Sequence, residues 1–592
     1  MQPYMVGLMP RLISCGLILS AGLIGLAGCG SYNAPSQPPP TQTSVTISPM
    51  SASVPAGTGT QNFTAAVMND YLNRGVTWAL SGAGCSGATC GSLSNMTSSS
   101  VTYNAPAALP NPATVTLNAT SVNNTMKSAT ATITVTSGAA AVSVTIRDTP
   151  PTGITLLSFG VNVTGAMLNP GSVDLLDGKG PIQIEVKQLE TEAAFLSTAS
   201  VTPGTFTSFV LTFANPELTF KNDTGAALAG CAVGAVCETK PTGALTATTN
   251  FPGPGLVIMA NSPTGILVDV NLDTILTATL GVDFSLAGAV SIQQLSMKPA
   301  GELDDLDDLR GAVLNLDITN KKFTLHTANR DFPITTDSNT EFDFEACAAN
   351  NFTCLKDNQV VEVDAKLMAG GAFLARKIAF EDDAEAAELG GIVFKIDDAT
   401  HFEMVVLDEL RSINNVSVGN PTVVTLSNPG FQVEADGLPV PSMLQVGFER
   451  ATDTSQLLPG QTVQIRLTGP VNPGPPVAVT TDRVRLRMTQ FTAKVKAGSI
   501  VSANFSVDTL PALFTSSGIS TIHVQTSSNT EFESVSGVAA LAGRETMSLR
   551  GFLFKNVALS PELVAKKVRK RCGERESGEG APRGGRSQDY PS

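Results

Sequence analysis

The sequence predicts an all-β, multi-domain protein, a chain of β-sandwich and small β-barrel-like units. Hydrophobic residues make up 42% and charged residues only 15% of the 592 residues. Sparse charge together with abundant Thr, Ser and Val favours strands over helices. Short runs of alternating polarity, separated by Gly, Pro and Asn, recur along the chain and are typical of strands. The length exceeds what one hydrophobic core supports and indicates about three to six domains.

Residues 1–28 have the pattern of a signal peptide. They carry one charge, Arg11, followed by an apolar segment over residues 12–26. A membrane-spanning helix needs about 20 apolar residues, and this segment is shorter. We therefore predict a cleaved export signal rather than a permanent transmembrane helix.

The signal ends in the tetrapeptide LAGC at residues 26–29, which resembles the lipobox of bacterial lipoproteins. The resemblance implies that Cys29 is lipidated, becomes the first residue of the mature protein and anchors it to the membrane. Gly30 stands where an aspartate would favour retention in the inner membrane, so the resemblance implies an outer-membrane or cell-surface location. The alternative is an ordinary secretory signal with a chance cysteine.

Residues 29–42 form a predicted tether behind the anchor. Residues 30–42 read GSYNAPSQPPPTQ, with four prolines and no charge. This composition favours an extended polyproline conformation, which reaches about 40 Å at about 3.1 Å per residue. The tether would lift the first domain off the lipid surface.

Six further cysteines form three close pairs in loop-like segments. Local pairs at separate places are typical of disulfides in an exported protein. Metal binding is the alternative, but no pair has a nearby His or second Cys pair. Cys15 belongs to the signal and Cys572 is left alone. The predicted disulfides join Cys85 to Cys90, Cys231 to Cys237, and Cys347 to Cys354.

Residues 43–137 predict a β-sandwich from their short alternating runs and turn residues. The motifs VPAG at 54–57, VTW at 76–78 and YNAP at 103–106 resemble those of bacterial immunoglobulin-like domains of surface proteins. The resemblance implies that Trp78 is the core aromatic residue.

Residues 141–300 predict a second β-sandwich. Strand-like runs are punctuated by DTPP at 148–151, VDLLD at 173–177 and PGTF at 203–206. This order is similar to a domain of unknown function that recurs in bacterial lipoproteins.

The remaining chain contains an internal repeat. SNTEF occurs at 338–342 and at 528–532, and FQVEAD occurs between them at 431–436. Glu341, Glu434 and Glu531 are therefore 93 and 97 residues apart. The repeat predicts three β units, which resemble small β-barrel domains of unknown function that secreted proteins carry in tandem. Their predicted bounds are 310–382, 390–480 and 484–571, followed by a disordered tail at 572–592.

Catalytic motifs are nearly absent from the sequence. The three histidines, His326, His401 and His523, lie in strand-like runs opposite the apolar side chains and are expected to face solvent. No nucleophile elbow, zinc-binding helix, phosphate loop or dinucleotide motif occurs. We therefore predict a protein that is not an enzyme and uses no cofactor.

Carboxylates are the only abundant reactive groups, and they form two clusters. Dense carboxylates suit Ca²⁺, but neither cluster has EF-hand spacing, and solvated connectors are the simpler interpretation. A basic run at residues 566–571 follows the third repeat and is either a soluble chain end or a contact for anionic lipid. The first cluster is Glu302, Asp304, Asp305, Asp307 and Asp308; the second is Glu381, Asp382, Asp383, Glu385 and Glu388.

The formal net charge of −14 argues against nucleic acid as a partner. Anchor, tether and β-domains together predict a lipid-anchored, non-enzymatic envelope protein that presents its domains to a glycan, an envelope component or a protein. The alternatives are a carboxylate-based, Ca²⁺-dependent carbohydrate-active enzyme and a periplasm-facing structural scaffold.

Overall fold

In the computed structural model the regular secondary structure is almost entirely β-strand, which confirms the predicted all-β class. It divides into two compact units. Within the part of the chain described, no helix is both long and apolar enough to cross a membrane. The structure describes residues 42–57, 59–151, 154–327, 330–344, 347–380, 387–409, 413–435 and 437–571. The predicted signal, most of the tether and the tail lie outside these residues.

The first unit contains residues 42–52, 61–104 and 114–134. Its strands form two four-stranded sheets, ordered β1-β3-β6-β5 and β2-β8-β7-β4. Alternate side chains point inward, as strand geometry requires. The strands are β1 (Ser44–Ser48), β2 (Ser51–Pro55), β3 (Thr60–Met68), β4 (Val76–Ser81), β5 (Ser92–Ser94), β6 (Ser100–Asn104), β7 (Thr114–Ser121) and β8 (Ser128–Thr136).

The predicted core role of Trp78 is wrong. Trp78 is only half-buried, and its indole Nε1 donates to the carbonyl oxygen of Thr97 at 2.9 Å. The fully buried aromatic residues are Phe63 and Tyr103. An indole keeps a polar N–H that needs an acceptor, and here a loop carbonyl at the border of the sheet supplies it.

The second unit begins with a sandwich whose two main sheets share one hydrophobic core. One sheet has the order β11-β10-β15-β16 with β12 and β18 attached, and the other has the order β13-β9-β20-β22. Its elements are β9 (Ala140–Thr149), β10 (Thr155–Asn169), β11 (Val173–Asp174), β12 (Ile182–Glu185), β13 (Ala194–Val201), β14 (Gly204–Phe206), β15 (Ser208–Lys221), β16 (Val236–Thr239), β17 (Gly243–Ala244), β18 (Thr246–Asn250), β19 (Leu256–Ile258), β20 (Thr264–Asn271), α1 (Leu272–Ile275), β21 (Val282–Asp283) and β22 (Val290–Leu295).

Three small barrels follow the sandwich. The first has β23 (Glu302–Asp317), β24 (Lys322–His326), β25 (Asp331–Thr335), β26 (Glu341–Asp343), β27 (Val360–Met368) and β28 (Phe373–Phe380). The second has β29 (Glu388–Ile396), β30 (His401–Glu409), β31 (Pro421–Val433), α2 (Ser442–Glu449), β32 (Thr462–Leu467) and β33 (Val477–Arg487). The third has β34 (Thr489–Val495), β35 (Asn504–Asp508), α3 (Ala512–Thr515), β36 (Ile522–Gln525), β37 (Glu531–Glu533), β38 (Thr546–Lys555) and β39 (Pro561–Lys570).

All three barrels close in the same way, by a parallel pairing to the last strand. In the first barrel β25 and β26 both pair with β28, and in the third β36 and β37 both pair with β39. In the second barrel the single long strand β31 makes both pairings with β33 across a register shift between Leu426 and Gly430. The common topology explains the sequence repeat.

The repeat motif marks the point where the closing strand resumes. Glu341 begins β26, Glu531 begins β37, and Glu434 directly follows β31. The threonine before each SNTEF glutamate is buried, and its hydroxyl donates at 2.7 Å to the last strand: Thr340 to the carbonyl of Ala375, and Thr530 to that of Ala565.

Two predicted domain limits need correction. The segment 302–309, expected to be a solvated connector, is the first half of β23 and pairs with β27. Residues 477–487 form β33 and close the second barrel against β31 and β32, so the limits at 480 and 484 cut through a strand. Only Met488 separates β33 from β34. The two strands therefore look like one strand pair in the sequence, although they belong to different barrels.

Apolar contacts also join the barrels to each other and to the sandwich. Phe552 and Phe554 of the third barrel belong to the core of the second barrel. A smaller cluster packs Leu157 of the sandwich against Phe394 and Leu407 of the second barrel. The sandwich and the three barrels therefore pack as one body.

Candidate functional site

Each of the three predicted cysteine pairs forms a disulfide. Each closes a loop beside a strand, with sequence separations of 5, 6 and 7 residues. These bonds stabilise turns. Cys29 and Cys572 lie outside the described residues.

The three histidines are on different barrels, and each has a carboxylate of its own barrel beside it. The Nδ1 atom of His326 is 2.6 Å from Asp331, that of His401 is 2.9 Å from Asp398, and that of His523 is 3.4 Å from Glu562. All three side chains are at least 40% exposed, as the alternation predicts.

The first acidic cluster and the basic run are brought together in the tertiary structure. Strand β23 carries the first acidic cluster, strand β39 carries most of the basic run, and a turn of the sandwich adds Glu190 and Glu192. Charged residues of neighbouring strands complete the group. We call this group the charged junction. It comprises Asp148, Glu190, Glu192, Asp304, Asp305, Asp307, Asp308, Asp364, Arg376, Glu531, Glu533, Arg550, Lys567, Arg569 and Arg571.

Arg550 of β38 lies at the centre of the charged junction and is only 6% exposed. Its Nη1 atom is 3.2 Å from Oε1 of Glu192 and 3.6 Å from Oδ2 of Asp307. Its Nη2 atom donates to Asp308. One guanidinium of the third barrel thus contacts carboxylates of the sandwich and of the first barrel, and this fork geometry is what distinguishes Arg from Lys.

A second set of contacts surrounds this centre. Arg376 of the first barrel donates to Asp307, and its Nη1 atom is 3.3 Å from Glu531 of the third barrel. The Nζ atom of Lys567 is 3.2 Å from Glu192 of the sandwich. The charged junction therefore contains ion pairs that join the third barrel both to the sandwich and to the first barrel.

Burial and like charges shift several carboxyl groups in the charged junction. Burial raises the pKa of Asp304 to about 6. Burial and the neighbouring Asp307 and Asp308 raise the pKa of Asp364 to about 7. Burial, reinforced by Glu190, raises the pKa of Asp148 well above its usual value. These groups retain protons at a pH where exposed carboxyls are ionised.

The second barrel is joined to the first by a separate bridge. Nε of Arg310 and Nη2 of Arg487 lie 2.9 Å and 2.6 Å from the same Oε2 atom of Glu362. Although burial acts to raise the pKa of Glu362, the two guanidiniums hold it well below its usual range. Arg310 also donates to Gln464 of the second barrel at 2.8 Å.

Arg330 of the first barrel makes a further contact with the sandwich. Its Nη1 atom donates to the carbonyl of Leu196 at 3.0 Å, and Nη2 donates to the carbonyl of Phe195. The guanidinium also lies over the rings of Phe195 and Phe332, 5.4 Å and 5.0 Å from their centroids. Desolvation lowers the pKa of Arg330 to about 10, so the side chain remains charged at neutral pH.

Two interpretations of the charged runs are therefore wrong. The first acidic cluster is not a solvated connector, because Asp307 and Glu302 are less than 10% exposed and both pair with cations. The basic run is neither a soluble chain end nor free to contact lipid, because Lys567 and Arg569 lie in β39 and are at most 12% exposed. Asp307 and Asp308 pair with Arg376 and Arg550, while Lys567 and Arg569 pair with Glu192 and Glu533.

Binding of Ca²⁺ is the alternative interpretation of the two acidic clusters. In the part of the chain described, no group of three or more His, Cys, Asp or Glu side chains is arranged to hold a metal ion. Glu388 of the second acidic cluster is buried and receives hydrogen bonds from Gln464 and Arg483. Its other members, Glu381, Asp382, Asp383 and Glu385, lie outside the described residues.

Sequence reasoning missed Arg550, Arg376, Asp364 and Glu192. One signal could have indicated Arg550, which is a lone charge within the apolar run MSLRGFLF of β38. A charged side chain in a strand buried along both faces needs a partner. The identity of that partner depends on how the barrels pack.

The fold and its charged junction define a class of protein: a β-sandwich followed by three tandem small barrels, preceded by a two-sheet unit. The family described as "Domain of unknown function (DUF5666)" matches residues 310–379, which comprise most of the first barrel. This agrees with the resemblance of the repeats to barrel domains of unknown function.

Other comparisons add little. A crystal structure described as a "putative cell adhesion protein" from Bacteroides ovatus ATCC 8483 is 11% identical and covers 40% of this chain and 68% of its own. Its TM-score is 0.12, and the similarity carries no argument about function. No curated protein matches the chain.

Proposed function

We propose that the chain is a lipid-anchored protein of the cell envelope, exposed at the outer membrane or cell surface through Cys29. It is not an enzyme and needs no cofactor. Its β-domains are presented for binding or adhesion to a glycan, an envelope component or another protein.

The observation that supports this function is the coupling of the sandwich to the barrels. Arg550 and Arg330 tie the sandwich to the third and first barrels, and Glu362 ties the first barrel to the second. Domains coupled by several buried pairs keep fixed orientations, unlike domains on a flexible linker. A fixed array of surfaces is suited to presentation.

The same contacts argue against the enzymatic alternative. A glycosidase needs two carboxyl groups across a cleft that admits its substrate. The carboxylates of the charged junction with shifted pKa values instead face arginine and lysine side chains within the protein. Their protonation is explained by packing.

The anchor is tested by metabolic labelling with an alkyne-tagged fatty acid. The wild-type chain and a Cys572→Ser control should incorporate the label and partition with membranes, and Cys29→Ser should do neither. Protease treatment of intact cells should then cleave the labelled chain, as expected for surface display. Labelling that persists in Cys29→Ser would refute the anchor, and protection from protease would favour the periplasm-facing scaffold.

The binding role is tested with the unlipidated chain from residue 30 onward. It should retain a partner on a glycan array or in a pull-down from envelope extract, and it should not degrade polysaccharides. Hydrolysis of a polysaccharide that is lost on changing a single Asp or Glu would instead establish the enzyme.

A further inference from the structure

Three loops of the first unit meet at one end of its two sheets. They are residues 69–75 between β3 and β4, 95–99 between β5 and β6, and 122–127 between β7 and β8. We call this group the loop end. The three loops are joined by backbone hydrogen bonds, from Val76 to the carbonyl of Ser98 at 2.9 Å and from Val122 to the carbonyl of Gly75 at 3.0 Å.

The first of these loops is held in a defined shape. The carboxylate of Asp70 accepts from the backbone N–H of Gly75 at 2.7 Å and from the side chain of Asn123. Gly75 has a φ of +64°, and a Cβ atom there would lie 2.1 Å from the carbonyl oxygen of Ser98. The close approach of the loops therefore requires glycine at this position.

Large apolar side chains project from this ordered framework into solvent. Tyr71 is 82% exposed, Leu72 66%, Met96 59% and Met126 91%. Each of the three loops contributes at least one of them. Exposed apolar residues that cluster on a soluble domain mark a surface that contacts something else.

The charges of this part of the chain lie at the same end. Between residues 42 and 137 the only charged residues are Asp70, Arg74 and Lys127, all in two of these loops. Asp70 is engaged in loop hydrogen bonds. The loop end therefore combines exposed apolar side chains with a net charge of +1, in a chain whose net charge is −14.

The chain also enters the first unit at the loop end. Ser44, at the start of β1, pairs with Met68 at the end of β3. The side chain of Asn69 donates to the carbonyl of Gln42 at 3.1 Å. The loop end is therefore the part of this unit next to residue 42, the last residue of the predicted tether.

We propose that the loop end is a membrane-contact surface. Leu72, Tyr71 and Met126 insert into the headgroup region of a bilayer, and Arg74 and Lys127 face anionic lipid. Tyrosine and flanking basic residues are typical of membrane interfaces. This surface adds a second, weaker membrane contact to a lipid chain and orients the domain on the bilayer. The inference rests on the proposed lipid anchor at Cys29, because the anchor determines which membrane the loop end meets. The lipid contact itself does not need Cys29.

The protein contains its own probe for this contact. Trp78 is the only tryptophan of the chain, and its indole donates to Thr97 within the loop end. Quenching of its fluorescence by bromine-labelled lipids reports the approach of the loop end to the bilayer. The experiment uses the unlipidated chain from residue 30 onward, with vesicles of phosphatidylglycerol and phosphatidylethanolamine.

The wild-type chain should float with these vesicles, and its Trp78 fluorescence should be quenched. The double variant Leu72→Asp, Met126→Asp should lose binding about tenfold or more, because both apolar contacts are removed. Arg74→Gln with Lys127→Gln should weaken binding to anionic vesicles and leave binding to phosphatidylcholine vesicles unchanged. All of these side chains except Lys127 are exposed, and a thermal melt checks that each variant folds.

Val557→Asp is the matched control, since Val557 is an 82% exposed apolar residue of a hairpin in the third barrel. It should bind as the wild type does. The proposal is overturned if the wild type does not float, if Val557→Asp weakens binding as much as the double variant, or if Leu72 and Met126 are needed for a glycan or protein ligand but not for vesicles. Failure of the anchor would appear only in the labelling of Cys29, so the two outcomes are distinguishable.

Discussion

The guanidinium of Arg550 donates a hydrogen bond to the carboxylate of Asp308, although 242 residues separate them in sequence. Arg550 lies on β38 of the third barrel and Asp308 on β23 of the first. The pair thus joins the first and last members of a tandem array. Because Arg550 also contacts Glu192, the same side chain connects both barrels to the sandwich.

Replacing Arg550 tests the charged junction. Arg550→Met should lower the free energy of unfolding by about 3–5 kcal/mol, because it removes the central, buried cation of the charged junction and leaves Glu192 and Asp307 with one cationic partner each. Chemical denaturation followed by circular dichroism measures the loss. The control is Arg466→Met, which removes a partly exposed pair with Asp482 inside the second barrel and should lose less than about 1 kcal/mol. Equal losses in the two variants would contradict a structural role for the charged junction.

Asp364 should make stability fall as the pH rises. The pKa of Asp364 is about 7 in the folded chain, whereas the ordinary value, expected in the unfolded chain, is 3.8. Between these two pH values the folded chain therefore keeps a proton that the unfolded chain releases. Asp364→Asn removes this titration, while its side-chain oxygen can still accept from the N–H of Asp308. Relative to the wild type, the free energy of unfolding of the variant should gain roughly 2–3 kcal/mol between about pH 5 and pH 8.

Melting temperatures measured across that range check the gain. Asp177→Asn, at an exposed turn, is the control for the loss of one carboxylate. If the difference in melting temperature between Asp364→Asn and the wild type does not change with pH, Asp364 has an ordinary pKa.

Arg330 should be required for the contact between the first barrel and the sandwich. Arg330→Met loses two hydrogen bonds from a charged donor to carbonyls of the sandwich. We therefore expect the free energy of unfolding to fall by about 2–3 kcal/mol. Arg330→Lys should recover little, because an ammonium group lacks the planar fork. Lys240→Met, at a highly exposed pair, is the control for charge removal. A fully stable Arg330→Met variant would be inconsistent with this role.

Equivalent positions of the repeat should respond equally. Thr340→Val and Thr530→Val each remove a buried hydroxyl that donates to the last strand of its barrel. Each substitution should lower the free energy of unfolding by about 1–3 kcal/mol. The reason is that the carbonyl oxygen and the backbone N–H bonded to the hydroxyl each lose a hydrogen-bond partner. Thr319→Val, in an exposed turn, should be neutral. Unequal losses at the two positions would argue that the barrels are not equivalent there.

The disulfides should stabilise the exported chain. Exported protein treated with an alkylating reagent before reduction should be unmodified at the six paired cysteines, and mass spectrometry after reduction should find all six modified. Replacing Cys231 and Cys237 together by Ser should lower the free energy of unfolding by about 2 kcal/mol. Modification before reduction would show that the pairs are open thiols in the cell.

Much of the fold could be predicted from local sequence. Alternation of polarity identifies strands because successive side chains point to opposite faces of a sheet. The cysteine pairs could be matched because only a few residues separate their members. The recurrence of SNTEF indicated a repeat because each copy places the same buried threonine against its last strand. The limit between the second and third barrels could not be predicted, because β33 and β34 have the same local pattern.

The sequence by itself determined the strand content, the short-range disulfides and the repeat, since each is encoded within a few consecutive residues. The lipid anchor at Cys29 stays a prediction. Tertiary structure alone decided which charges meet. The acidic run at 302–308 and the basic run at 566–571 are each typical of solvated segments, yet packing of the barrels buries them together. Only the fold gathers Tyr71, Leu72 and Met126 at one end, because loops distant in sequence become neighbours when the two sheets form.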